Sequence, residues 1–289
     1  MNKFYIVTNR DKDPQLETTN YICEFLKEHG REVTVLSRES LGKYAVRESR
    51  EHNPLQIPED TDCILVLGGD GTLLQTARDT VELGIPLLGI NLGTLGFLAE
   101  VEKAGIPEAL EHLIADEYET EERMLLTGKV LRNGEEICSA HALNDVVVNR
   151  CGRLMVLSYE VFVNGQKLNR YQADGMIVAT PTGSTGYNMS AGGPIVAPGA
   201  QLMVMTPICP HTLNTRSIVL SAQDRVEIVI AQGRDEQVQE AEINFDGGLT
   251  QKLMTGDRVV MQRSEQTIKL IHMSKVSFLE TLHRKMSES

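Results

Sequence analysis

The chain has 289 residues, 24% of them charged and 41% hydrophobic, with 40 acidic against 28 basic side chains and a formal charge of −12. That length suits about two domains; no apolar run reaches the roughly 18–20 residues that span a bilayer, and the acid surplus argues against a nucleic-acid partner. Five scattered cysteines without a CxxC pair and seven scattered histidines without ligand spacing read as reduced structural thiols in a cytoplasmic protein and give no case for zinc.

The first 115 or so residues alternate in character. Phe4-Tyr5-Ile6-Val7 reads as a strand, with no secretory signal around it. Pro14 then opens a helix carrying Ile22, Phe25 and Leu26 on one face and stopping at Gly30. Val33–Leu36 is a second strand, and the polar stretch 38–60, with Pro54 and Pro58, a mobile loop. Cys63–Leu67 is a third strand, followed by a helix over 73–83 that stops at Gly84. Pro86–Ile90 is another strand and Pro107–Ala115 another helix. Continuous apolar strands alternating with helices predict an α/β N-terminal domain with a mainly parallel sheet.

From Leu125 onward the pattern is β-like. Asn133-Gly134 and Asn164-Gly165 sit between such runs as hairpin signals, and Val146–Val148, Leu157–Val163, Val226–Ile230 and Arg258–Met261 are candidate strands. We expect an α/β domain over 1–119, an all-β domain over 120–266, and a C-terminal tail, 267–289, packing back on the first.

The sharpest local signal is Gly68-Gly69-Asp70-Gly71-Thr72, where a buried strand meets a helix. Glycines there permit a tight turn and close approach of a ligand, and helix amides can receive an anion; the plainer reading makes Asp70 or Thr72 a helix cap. Leu74 breaks a GxGxxG fingerprint, and no GxxxxGK[ST] run exists. Asn91-Leu92-Gly93-Thr94-Leu95-Gly96-Phe97 repeats the theme after the next strand, with Asn91 able to bond a ligand and Phe97 read first as core. The third signal runs from Ala173 through Gly193, with glycines, hydroxyls, one Tyr and one acid. Residues 171–251 hold only Arg216, Arg225 and Arg234 as cations. A polyphosphate bound to this run would need amides, hydroxyls and a divalent ion rather than a lysine clamp. Asn144-Asp145 alone reads as a strand cap, and His211, in Thr206–Leu213, receives no role.

Taken in order, Gly68–Thr72, Asn91–Phe97, Asn144-Asp145, Asp174-Gly175 through Ser190 and Thr206–His211 resemble the bacterial NAD kinase family over about residues 60–260. The resemblance implies ATP-dependent phosphorylation of the 2′-hydroxyl on the adenosine ribose of NAD to give NADP. It also implies a divalent metal such as Mg²⁺, whose ligands the sequence does not identify, and a homodimer or homotetramer. Asp70 matches the proton acceptor; Gly71, Asn144, Asp145, Asp174, Thr185, Gly186, Tyr187, Asn188, Met189 and Ser190 match positions that hold NAD. Gly68, Gly69, Thr72, Gln75, Asn91, Phe97 and Thr182 are further candidate contacts for ATP or NAD. Gln75 and Gln172 stand where some members carry a basic residue, and Gly248 where a polar contact can lie. A diacylglycerol-type lipid kinase shares the GGDG turn, but the polar 174–193 run and the lack of a basic amphipathic helix speak against it. A non-catalytic dinucleotide sensor would have no need of the acid in the turn.

Overall fold

A computed structural model describes residues 1–36, 55–93, 96–152, 156–211, 216–233, 236–273 and 276–287. Most of the predicted loop over 38–60, residues 94–95 of the second glycine run and residues 212–213 lie outside them. The chain divides into two compact units: Met1–Arg123 with Thr267–Ser289, and Met124–Gln266. Among the described residues no helix is long and apolar enough to cross a membrane.

The first unit alternates strands and helices: β1 (Lys3–Thr8), α1 (Glu17–Glu28), β2 (Glu32–Val35), β3 (Cys63–Gly68), α2 (Asp70–Thr80), β4 (Leu87–Asn91), the short β5 (Val101–Glu102) and α3 (Ile106–Ile114). The strands pair in parallel in the order β2-β1-β3-β4-β5. Every residue of β3 and β4 is buried, which explains their unbroken apolar runs: helices cover both faces of such a sheet. Ile22 and Leu26 of α1 and Ala109, Leu110 and Leu113 of α3 pack with Phe4, Ile6, Leu65, Leu67 and Ile90 into its core.

Two helix starts differ from the sequence reading. α1 begins at Glu17 rather than Pro14, because the buried Asp13 carboxylate accepts the amides of Thr18 and Thr19 at 3.3 and 2.9 Å and so caps the first turn. α2 begins at Asp70 rather than Leu73, with Gly69 as its cap residue, so Asp70 is not the cap but the first helical residue. The end of the predicted 38–60 loop is anchored, since Leu55 and Ile57 are buried and Tyr5 Oη donates to the Leu55 carbonyl.

The second unit is antiparallel. Its strands are β6 (Glu119–Arg132, which enters from the first unit), β7 (Glu135–Ala142), β8 (Asp145–Arg150), β9 (Leu157–Val163), β10 (Gln166–Ala173), β11 (Gly175–Ala179), β12 (Leu202–Ile208), β13 (Ile218–Ser221), β14 (Val226–Ile230), β15 (Glu240–Phe245), β16 (Leu249–Met254) and β17 (Arg258–His272). One six-stranded sheet runs β13-β12-β11-β8-β15-β16, and a second layer contains β10-β9-β14 and the start of β17. Alternate residues from the two layers interdigitate: Val146, Val148, Met176, Val178, Ile243 and Phe245 against Tyr159, Val161, Val226, Ile228 and Met261. Both Asn-Gly pairs have positive φ at each residue, as a type I′ hairpin turn demands. The run after β11 is not all loop: it forms a 3₁₀ turn at Thr182–Thr185 and the one-turn α4 (Tyr187–Ser190), and Ala191 packs on Val147, Ile177, Ala179 and Ile208. From Thr267 on, the chain is again part of the first unit, where Leu270 of β17 pairs in parallel with Leu87, and α5 (Phe278–Ser287) ends it.

Candidate active site

In the first unit, three segments at the carboxyl ends of parallel strands gather around one cleft, where open α/β sheets bind ligands. They are Asn9–Lys12 after β1, Gly69–Thr72 after β3, and Gly96 beyond β4; the cleft measures about 790 Å³. A neighbouring cleft of about 480 Å³ is lined by Asn91 and Gly93 and shares Lys12 with the first. The Asp70 side chain stands in the wall of the larger cleft, half-buried.

Backbone amides hold that carboxylate. Phe97 N–H donates to Oδ2 at 2.8 Å, and the amides of Leu98 and Ala99 donate to Oδ1 at 3.2 Å each. A carboxylate offers about four acceptor positions, so among the described residues Oδ1 is full and Oδ2 keeps one position unfilled.

Several of the expected contacts line these clefts and also bond within the scaffold. Asn91 is buried and closes its own turn, donating to Gly93 O at 2.8 Å and accepting Gly93 N–H at 3.1 Å. Gln75 bonds along α2, to Asp79 at 2.9 Å and to Arg78. Thr72 Oγ1 accepts Asn9 Nδ2 at 3.1 Å. The Phe97 ring lies by Phe278 of α5, 6.4 Å between centroids, with the Lys285 ammonium 5.0 Å from its centre, so Phe97 meets the site through its amide.

In the second unit, Asn144 and Asp145 are pinned at the head of β8 by a residue the sequence reading passed over. Asp246, in the turn after β15 and at positive φ, accepts the amides of Leu143, Asn144 and Asp145 at 2.8, 2.8 and 3.0 Å. Asn144 Oδ1 is buried and has no hydrogen-bond partner among the described residues. Gly186 leaves room beside both side chains, since a Cβ there would stand 3.5 Å from Asn144 Nδ2 and 4.0 Å from Asp145 Oδ2. An orphaned acceptor beside an open backbone is where a ligand donor belongs.

Burial, and secondly the charge of Asp246, push the Asp145 carboxyl up to about 7. The folded state therefore holds a proton that the unfolded chain has lost above its ordinary value of 3.8. Stability from this group is full below that ordinary value and is lost as pH rises to about 7. Asp145→Asn is expected to remove this loss, making the variant more stable than the parent at pH 8 and similar at pH 4 in urea unfolding.

Asp174 is not brought beside Asn144-Asp145. It pairs with Arg150 at the opposite end of β8, Nε to Oδ1 at 2.8 Å. Five steps along the strand separate that end from Asp145, roughly 16 Å at the usual rise. Tyr187, Met189 and Ser190 are exposed.

Asn188 is fully buried and spends its amide on the fold: Nδ2 donates to Ser184 O and Pro194 O at 3.0 and 2.9 Å, and Oδ1 accepts Thr206 Oγ1 at 2.7 Å. The hydroxyls that drew attention in the sequence are similarly committed. Thr180 Oγ1 donates to Leu143 O and accepts Gly183 N–H, Ser184 Oγ bonds Val196, Thr185 Oγ1 donates to Thr182 O, and Thr182 is buried. Asn188→Ala is expected to cost roughly 1–3 kcal/mol per partner left unpaired, seen in urea unfolding, and to affect stability more than the KM for NAD.

The chain matches the ATP-NAD kinase N-terminal domain over residues 4–118 and the ATP-NAD kinase C-terminal domain over residues 143–273. The chain belongs to the ATP-NAD kinase family. Members of that family, this chain among them, are ATP-dependent kinases that convert NAD to NADP. It is 42% identical over 291 residues to an NAD kinase of Lachnoclostridium phytofermentans, covering 100% of both chains. It is 45% identical over 286 residues to an NAD kinase of Agathobacter rectalis, covering 99% of both. Two solved structures share the fold. A yeast NADH kinase complexed with NADH has a TM-score of 0.81 at 24% identity, over 99% of this chain and 88% of that one. An NAD kinase from Archaeoglobus fulgidus in complex with ATP has a TM-score of 0.74 at 23% identity, over 100% of each. Family membership removes the lipid-kinase and sensor alternatives.

Proposed function

We propose that Asp70 takes the proton of the ribose 2′-hydroxyl while the γ-phosphoryl group of ATP passes to that oxygen. The observation that carries this reading is the acceptor position on Asp70 Oδ2 that no described residue fills, on a carboxylate that lines the cleft and is held by three amides. The 2′-oxygen bonds to the γ-phosphorus, the bond from that phosphorus to the β–γ bridging oxygen breaks, ADP leaves, and the hydroxyl proton goes to Oδ2. A carboxylate is a far weaker base than a sugar alkoxide, so the proton moves late, as the new bond forms. That order suits a loose phosphoryl-transfer transition state, and Asp70 works chiefly by aiming the hydroxyl.

The NAD contacts we propose in the second unit are Asn144, through its orphaned Oδ1, Asp145, Gly186 and the exposed Tyr187, Met189 and Ser190, with Thr185 beside them. Gly71 is the contact in the first. Asp174, far from Asn144-Asp145 along β8, would reach an NAD held at that end only from a second copy in the proposed homo-oligomer. Five free thiols among the described residues suit a reducing compartment such as the cytoplasm.

A divalent cation enters as part of the metal–ATP substrate. Among the described residues no group of three His, Cys, Asp or Glu side chains stands close enough to cage an ion, whereas Mg²⁺ keeps much of its water and binds through phosphates. Bound so, it offsets charge on the β- and γ-phosphates. Purified chain with NAD, ATP and Mg²⁺ should form NADP, and EDTA should abolish it. Absence of NADP with Mg²⁺ present would overturn the reading, and undiminished turnover in EDTA would overturn the metal's part in it.

A further inference from the structure

We infer that Lys12 is a catalytic residue whose ammonium holds the γ-phosphate, with Arg10 as a second cation along the same polyphosphate. This rests on the reading of the cleft as the phosphoryl-transfer site. The glycine-rich runs drew attention to amides, and the second unit's run is poor in cations, but the cleft of the first unit contains two cations that the sequence reading passed over.

The turn that carries them is fixed to the GGDG turn. Asn9 N–H donates to Leu67 O at 2.8 Å, Asn9 Nδ2 to Thr72 Oγ1 at 3.1 Å, and Asn9 O accepts the amides of Lys12 and Asp13 at 3.1 and 3.0 Å. From that backbone the Lys12 side chain lies over both glycine turns. Its Nζ stands 2.8 Å from where a Cβ on Gly69 would be and 2.9 Å from where one on Gly93 would be. Glycine at both places is what lets one ammonium lie over the two turns.

Among the described residues neither the Lys12 ammonium nor the Arg10 guanidinium has an ion-pair or hydrogen-bond partner. In a chain with 40 acids to 28 bases, two unpaired cations in one cleft mark a place for an anion. Lys12 also lines both clefts, so a chain of phosphates leading from one to the other meets it. A positive charge in the cleft that Asp70 also lines offsets the repulsion between that carboxylate and a phosphate, and acts most strongly where transferring oxygens gain charge.

The test compares the full-length chain with Lys12→Met and Lys12→Arg, using inorganic tripolyphosphate as a competitor of ATP. Lys12→Met should lower kcat/KM for ATP roughly 10²–10³-fold, weaken tripolyphosphate inhibition at least tenfold, and leave the KM for NAD unchanged; Lys12→Arg should restore most of both. The side chain is exposed, so the thermal midpoint should not move. Unchanged ATP kinetics in Lys12→Met, a loss shared equally with NAD, or failure of tripolyphosphate to compete in the parent chain would overturn the inference. Asp70→Asn separates this from the reading beneath it: normal turnover there removes Asp70 whatever Lys12 does, while unaltered phosphate binding in Lys12→Met removes Lys12 alone.

Discussion

Asp70→Asn is expected to lower kcat roughly 10²–10⁴-fold, the usual range for losing a positioned acid–base group, with the KM for NAD nearly unchanged. The substitution preserves shape but not capacity. One amide oxygen can still accept the N–H groups of Leu98 and Ala99, but the amide nitrogen would face the Phe97 N–H, donor against donor. No acceptor would then remain for the ribose hydroxyl. The fold itself loses little, since the carboxylate is only half-buried, and the thermal midpoint should fall by no more than a few degrees. Steady-state kinetics with NAD and ATP varied separately would decide it. Turnover equal to the parent chain would take Asp70 out of the mechanism.

The sheet of the first unit was legible because burial on both faces leaves no room for polar residues. Cys63–Leu67 is an unbroken apolar run, and the glycines after it can only be a turn at the strand's carboxyl end. The two Asn-Gly hairpins were legible for a local reason: positive φ at both residues admits little else. What escaped depends on contacts between segments far apart in sequence. Asp246 holds the amides of residues about a hundred positions earlier, and nothing in Phe245-Asp246-Gly247 announces it. The amide cradle of Asp70 comes from Phe97–Ala99, a stretch read for its side chains. Lys12 sits in Asn9-Arg10-Asp11-Lys12, which has the composition of an ordinary surface turn.

Asn144 and Asn188 show the limit most plainly. Both belong to the runs that resemble the family, yet one has a buried oxygen with no partner and the other has its whole amide bonded to the chain. Residue type and spacing are the same kind of signal in each. Only packing separates the oxygen without a described partner from the amide that holds the turn. The hydroxyl-rich run between them is explained the same way: Thr180 and Ser184 are there because a tight segment must satisfy its own backbone groups.

Gly96→Ala should reproduce much of the Asp70→Asn defect without altering a single functional group. A Cβ at residue 96 would fall on the Asp70 carboxylate itself, and the residue is not among the glycines at positive φ, so the added methyl acts by collision rather than by backbone strain. The carboxylate must then turn away from Phe97, Leu98 and Ala99, giving up three charge-assisted hydrogen bonds that fix its aim. We expect kcat to fall roughly 10²-fold, since small misplacements of a reacting group cost that much, while the KM for NAD holds. The decisive arm is the double variant. If Gly96 matters only by leaving space for Asp70, adding Gly96→Ala to Asp70→Asn should reduce kcat little further, because groups acting as one unit are strongly non-additive. Full multiplication of the two defects would mean that the methyl damages something other than the carboxylate, and the amide cradle would lose its place in the mechanism.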